Sequence, residues 1–125
     1  MRNMAEHNKI GIRGEAIAAD HLSERSYTIL EKNWRSGRLE VDIIARKGNT
    51  LIVAEVKTRT GSFVENLTEA VNRRKQQLLI RAANAYVCKY NLDVDVRFDI
   101  ITVVFEEGSF RVTHIENAFY PPVRS

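Results

Sequence analysis

Asp42 and the triplet Glu55-Val56-Lys57 are the residues whose types and spacing could do chemistry. They lie in two runs, Gly37-Arg38-Leu39-Glu40-Val41-Asp42-Ile43-Ile44-Ala45 and Leu51-Ile52-Val53-Ala54-Glu55-Val56-Lys57, both rich in Val and Ile. That composition predicts strands, and Arg46-Lys47-Gly48-Asn49-Thr50 between them has the make-up of a hairpin turn. Strands so apolar belong inside a sheet, where an unpaired carboxylate is costly. Glu40, Asp42 and Glu55 therefore call for compensation, and a divalent cation would supply it. A side-chain period of two puts Glu40 with Asp42 on one face, and Glu55 with Lys57 on one face of the next strand. An Asp and a Glu near the same end of adjacent strands can share one oxygen-ligated cation. Mg²⁺ takes one or two protein carboxylates and completes its shell with waters and phosphate oxygens; Mn²⁺ is the alternative. Lys57, two residues past Glu55, can then steer a water and offset charge gathering on a phosphate. The chemistry that needs such parts is metal-assisted phosphodiester hydrolysis. A purely structural account, with Glu55 and Lys57 as an ion pair beside Asp42, leaves the other acids unpaired.

The elements that must position these residues follow from periodicity. A helix is expected from about Lys9 to Arg25, with Ile12, Ala16, Ala19, Leu22 and Ser23 on its inward side. Glu15 falls on that side too, either as a helix-dipole partner or as a metal- or water-binding group. Tyr27 to Lys32 predicts a first strand, and Asn33-Trp34-Arg35-Ser36-Gly37 a turn. Trp34 there is a core plug or a stacking residue for a base. After Lys57, residues 58–66 form a polar loop around Gly61, placed to touch substrate. A long helix runs from about Leu67 to Tyr90, with a stripe of Leu67, Val71, Leu78, Ala82, Ala85 and Tyr86. Lys75 projects inside that stripe, snorkelling to its rim or reaching a phosphate or the carboxylates. Val94 to Phe105 and Phe110 to Ile115 complete the strands. Residues 1–8 and 117–125 are expected to be mobile ends.

At 125 residues the chain suits one domain, residues 1–125, and its 44% hydrophobic and 28% charged content is that of a soluble globular protein. No run has the length of a membrane span and the polar N-terminus lacks a signal-peptide core, so a cytoplasmic protein without membrane partners is expected. The single Cys88 excludes an internal disulfide and reads as a packing residue, and the scattered His7, His21 and His114 argue against structural zinc. Between Lys57 and Arg81 stand six basic residues against Glu65 and Glu69, an excess of +4 where the whole chain carries +3. Arg59, Arg73, Arg74 and Lys75 in that stretch are candidate nucleic-acid contacts.

These residues resemble the PD-(D/E)xK nuclease motif, with Asp42 as the first acid and Glu55-Val56-Lys57 as the triplet; Val41 stands where the motif has proline. Nearly the whole chain resembles the YraN, or UPF0102, family of bacterial proteins, described as endonuclease-like and similar to archaeal Holliday-junction resolvases. The residues that carry this are Gly14-Glu15, Asn33, Gly37 with 40–45, Glu55 to Arg59, Lys75 and Arg97-Phe98-Asp99. Arg38-Leu39 between Gly37 and Glu40 departs from the family, where Gly directly precedes the Glu. The resemblance implies an α/β restriction-endonuclease-like fold, a central mixed sheet of about five strands flanked by helices in the order α-β-β-β-α-β-β. It implies Asp42 and Glu55 as metal ligands, with the Val56 carbonyl a third and Glu15 completing the cluster from its helix. Lys57 would position the water, Glu40 and Lys75 would support the ligands, and Asp99 would hold structure. DNA, branched or otherwise structured, is the implied substrate ahead of RNA, and a homodimer is the implied assembly. The competing expectation is a non-catalytic nucleic-acid-binding or DNA-processing accessory protein that keeps the fold.

Overall fold

A computed structural model describes residues 4–61 and 71–121, with side chains from residue 8 onward. Two helices and five strands follow one another as α1 (Met4–Glu24), β1 (Thr28–Ser36), β2 (Leu39–Lys47), β3 (Thr50–Thr60), α2 (Arg73–Lys89), β4 (Asp95–Glu106) and β5 (Ser109–Phe119). The strands form one sheet in the order β1-β2-β3-β4-β5. Hairpins make every neighbouring pair antiparallel except β3 and β4, which run parallel because α2 carries the chain across between them. This is the α/β order and mixed five-stranded sheet expected of a restriction-endonuclease-like fold.

Each face of the sheet is covered by one helix. Ala18, Ala19 and Leu22 of α1 pack on Ile43, Ala45, Ile52, Ala54, Ile101 and Val103. Leu79, Ala82, Ala83 and Tyr86 of α2 pack on Val41, Ile44, Leu51, Val53, Phe98 and Ile100. Because both faces are covered, Leu51 to Ala54 is buried without a break, in place of the alternation of a one-sided sheet. Among the described residues no helix is long and apolar enough to cross a membrane.

Several boundaries differ from the sequence reading. The first helix starts at Met4, inside the stretch expected to be mobile, and β5 reaches a buried Phe119. Trp34 lies within β1, not in a turn: it is 8% exposed and meets Tyr86 edge-on at 5.1 Å, so it is the core plug. The chain turns instead at Gly37-Arg38, where Gly37 takes φ +60°, closing a two-residue hairpin between Ser36 and Leu39. Thr58 to Thr60 extend β3, and 62–70 of the expected loop and helix start lie outside the described residues. On α1 the inward side is Gly14, Ala18, Ala19 and Leu22, while Ile12 is 67% exposed and Ala16 and Ser23 face solvent. Small residues carry little hydrophobic signal, so Ile12 drew the expected stripe out of phase. Cys88 is exposed, not packed, and Leu79 takes the buried place expected of Leu78.

Candidate functional site

The site lies where β2 and β3 part. Their pairing runs from Lys47 opposite Thr50 to Ile43 opposite Ala54 and stops there. Beyond that point the Val56 N–H donates to Asp42 Oδ2 at 2.8 Å, a side-chain acceptor standing in for a strand carbonyl. The period of two also slips here, since Val41 and Ile44 both enter the α2-side core. Across from this slip, on β1, Asn33 takes φ 53° between the register pairs Lys32–Ile43 and Trp34–Val41. A left-handed residue inside a strand is rare, and asparagine tolerates it best after glycine. The Asn33 side chain bears on Glu15, pulling its carboxyl downward against burial.

Glu55 is 5% exposed, and its Oε2 has no hydrogen-bond partner among the described residues. Lys75 Nζ stands 3.3 Å from that oxygen, an ion pair without hydrogen-bond geometry. Burial, followed by the hydrogen bond and charge of Asp42, pushes the Glu55 carboxyl up to about 8, against the pull of Lys75 and Lys57. Two carboxylates in one small space disfavour a second charge unless a cation intervenes, which, after burial, is why the Glu55 carboxyl rises. Lys75 meets the carboxylate cluster, the second of the two roles its place in the stripe allowed.

Glu15 comes to the cluster from the opposite helix. Gly14 lets α1 settle directly on β3: a Cβ at that position would collide with Thr58 Oγ1. The next residue is thereby set beside Asp42. Glu15 Oε1 is buried without a hydrogen-bond partner among the described residues, and burial first, then the Asp42 charge, raises its carboxyl above the ordinary range. Glu40 is turned aside: its carboxylate pairs with Arg35 at 3.6 Å and is 43% exposed. Lys57 is half-buried on β3 and lies in register with Thr102 of β4, whose Oγ1 is the third buried polar atom lacking a partner among the described residues. Arg73 and Arg74 are exposed at the start of α2, and Arg59 caps the Thr58 carbonyl at 3.0 Å.

Of the residues singled out by sequence, Glu15, Asp42, Glu55 and Lys75 are thus brought together, with Lys57 and Val56 on the adjoining turn of β3. Glu40 is half out, and the arginines form a rim. Gly14, Asn33, Thr58 and Thr102 enter through geometry; only the conformational freedom of Asn and Gly signals the first two in sequence. No group of three or more His, Cys, Asp or Glu side chains among the described residues forms a metal cluster by itself. Two carboxylates with orphaned oxygens nearby suit a cation that keeps most of its own waters, as Mg²⁺ does.

Asp99 has a different job. It is 1% exposed and receives Arg97 Nε at 2.9 Å, Arg97 Nη2 at 2.8 Å, His114 Nε2 at 2.7 Å and the Asn117 N–H at 3.2 Å. Arg97 Nη2 also donates to the Tyr27 hydroxyl at 2.6 Å, which donates on to Glu116 at 3.2 Å. His114 Nδ1 faces His21 Nε2 of α1 at 3.2 Å. This clamp ties α1, the start of β1, β4 and β5 together, and its role is structural.

The fold and this parting of strands define a small α/β protein with a carboxylate–lysine cluster at the end of its central hairpin. The profile of uncharacterised protein family UPF0102 matches residues 14–103, and the chain belongs to that family. A UPF0102 protein of Bacteroides thetaiotaomicron is 49% identical over 96% of this chain and 99% of its own length. Relatives in Phocaeicola vulgatus and Christiangramia forsetii, also UPF0102 proteins, are 47% and 46% identical over 96% and 94% of this chain, and 99% and 98% of their own.

Proposed function

We propose that the protein is a metal-dependent endonuclease that hydrolyses DNA phosphodiester bonds, with branched or otherwise structured DNA as its substrate. The observation that carries this reading is the gathering of Asp42 and Glu55 beside a lysine-bearing strand, with Glu55 Oε2 and Glu15 Oε1 buried and lacking a hydrogen-bond partner among the described residues. A fold gains nothing from such an arrangement unless a charged ligand completes it. Asp42 and Glu55 would hold Mg²⁺ or Mn²⁺, with the Val56 carbonyl as a further oxygen and Glu15 receiving a water of its shell. The ion would supply Lewis-acid polarisation of the phosphate and a more acidic water.

The remaining roles fall to the chain itself. Asp42, fixed by the Val56 N–H, anchors the site. Glu55 would hold the cation as a carboxylate, and Lys75 keeps it aimed. Lys57 orients the attacking water and opposes charge developing on the phosphate as the phosphorus–oxygen bond breaks. Arg59, Arg73 and Arg74 hold the flanking backbone. An accessory, non-catalytic role has one observation in its favour: the Lys75 ion pair itself offsets part of the Glu55 charge.

Cleavage of labelled linear, flapped and four-way-junction DNA in Mg²⁺ or Mn²⁺ separates the two. The parent cuts, and Lys57→Ala loses on the order of 10²-fold or more in rate while keeping its fold. DNA binding by both proteins with cleavage by neither, in either metal, makes the accessory reading the correct one.

A further inference from the structure

The first turn of α2 that sends Lys75 to Glu55 also sends Arg73 and Gln76 sideways, toward the end of β5. There they line a cavity of about 360 Å³ with Gln77, Ile80 and Tyr120. Its floor is firm. Phe119, just before Tyr120, is buried and stacked on Phe98 at 4.9 Å and 21°. Gln76 is pinned by donating its Nε2 to the Val71 carbonyl at 2.9 Å, which leaves its Oε1 to accept. Tyr120 itself is 72% exposed, the most exposed large apolar side chain among the described residues. An aromatic ring so placed, beside two amide side chains, an aliphatic side chain and an arginine, matches no need of the fold.

We infer that this cavity is a subsite for one unpaired nucleotide of the substrate. The base stacks on the Tyr120 ring against Ile80, Gln76 and Gln77 meet its polar edge, and Arg73 takes the adjoining phosphate. The inference rests on the nucleic-acid reading above and narrows it: the DNA handled has a single-stranded portion next to the bond that is cut. Charge favours this occupant, because Arg73 and Arg74 open α2 with no acidic residue in its first turn. Stacking on a protein aromatic is indifferent to base identity, so the subsite reads unpaired structure, not sequence.

The test is equilibrium binding of a fluorescein-labelled single-stranded oligonucleotide in EDTA, where no strand is cut, to the parent, Tyr120→Ala and Tyr120→Phe. Tyr120→Ala is expected to weaken binding roughly 5- to 100-fold, the range of one lost base stack, and Tyr120→Phe to leave it near the parent's. Binding of a blunt duplex should not change. An oligonucleotide with consecutive abasic positions should bind parent and Tyr120→Ala alike, because the stack is already gone. Equal single-strand affinity for parent and Tyr120→Ala overturns the subsite, as does a Tyr120→Ala loss that persists on the abasic strand. Those results leave the nuclease reading standing if the parent cuts DNA in Mg²⁺. Tyr120-dependent binding without cleavage does the reverse, keeping the subsite and removing the nuclease. A parent that binds no nucleic acid removes both.

Discussion

Glu55 is the residue at which stability and chemistry pull apart. Its pKa rises from 4.5 to about 8 in the folded chain, so folding takes up a proton between those values. The stability contributed by neutral Glu55 is full below pH 4.5 and is lost as pH rises through 8. Glu55→Gln keeps the neutral shape at every pH. In thermal melts with EDTA, the variant should match the parent near pH 4 and exceed it increasingly as pH rises toward 8, the gap then levelling off. A gap that does not widen with pH would mean that Glu55 ionises freely and that its burial costs nothing. Gly14 is the second instructive residue. Gly14→Ala drives a methyl into Thr58 Oγ1, and overpacking of this kind costs about 1–3 kcal/mol. Adding Thr58→Ala should restore part of that loss in urea denaturation; additivity of the two changes would place the strain elsewhere.

Among the elements, the Asp99 clamp governs behaviour in acid. Burial pushes Asp99 upward, but hydrogen bonds from His114 and Arg97 outweigh it and hold the carboxylate below its ordinary range. Burial, then Arg25 and His114, lower His21. A group whose pKa is depressed by folding stabilises above its unfolded value and ceases to do so as pH falls. In a chain carrying Glu15→Gln and Glu55→Gln, whose acids would otherwise oppose the trend, stability should therefore fall in two stages on acidification, first below 6.5 as unfolded chains take up the His21 proton, then below 3.8 with Asp99. Urea midpoints measured across this range should show both steps, and His21→Phe should flatten the upper one. A single step near pH 4 would mean that the His21–His114 contact carries no stability.

How much of this was legible beforehand depended on what kind of signal each element carried. The two central strands were plain because Val, Ile and Ala filled them, and their acids stood out against that background. The slip at Asp42 was invisible. It depends on Asn33 bending β1, and a polar Asn-Trp-Arg-Ser-Gly run looks the same whether it ends a strand or distorts one. The inward face of α1 was misjudged since a glycine and alanines, the residues that permit close approach to β3, are the weakest hydrophobic markers. The clamp around Asp99 gathers Tyr27 from before β1, Arg97 from β4 and His114 from β5, positions far apart in sequence. No local pattern connects them.

On the scale of the whole molecule, a net charge of +3 is modest and the placement of the arginines matters more. Each phosphate contact releases a counterion, so the slope of log affinity against log salt counts those contacts. Arg74→Ala should lower that slope by about one and weaken binding to single-stranded and duplex DNA alike. An unchanged slope would put α2 outside the interface.

The parallel pairing of β3 with β4, from Thr50 beside Asp95 to Thr60 beside Phe105, has a consequence for the chain as it is made. No hairpin can close that pair; the intervening segment and α2 must be synthesised first. Until then the β2–β3 hairpin has emerged from the ribosome with one long apolar edge, Leu51 to Ala54, open to any passing strand. Glu55 and Lys57 sit at the end of that edge, with Asp42 on the neighbouring strand, as charges in water, where they cost nothing and discourage self-association. The same side chains that strain the finished fold keep the nascent hairpin soluble while it waits for its neighbour.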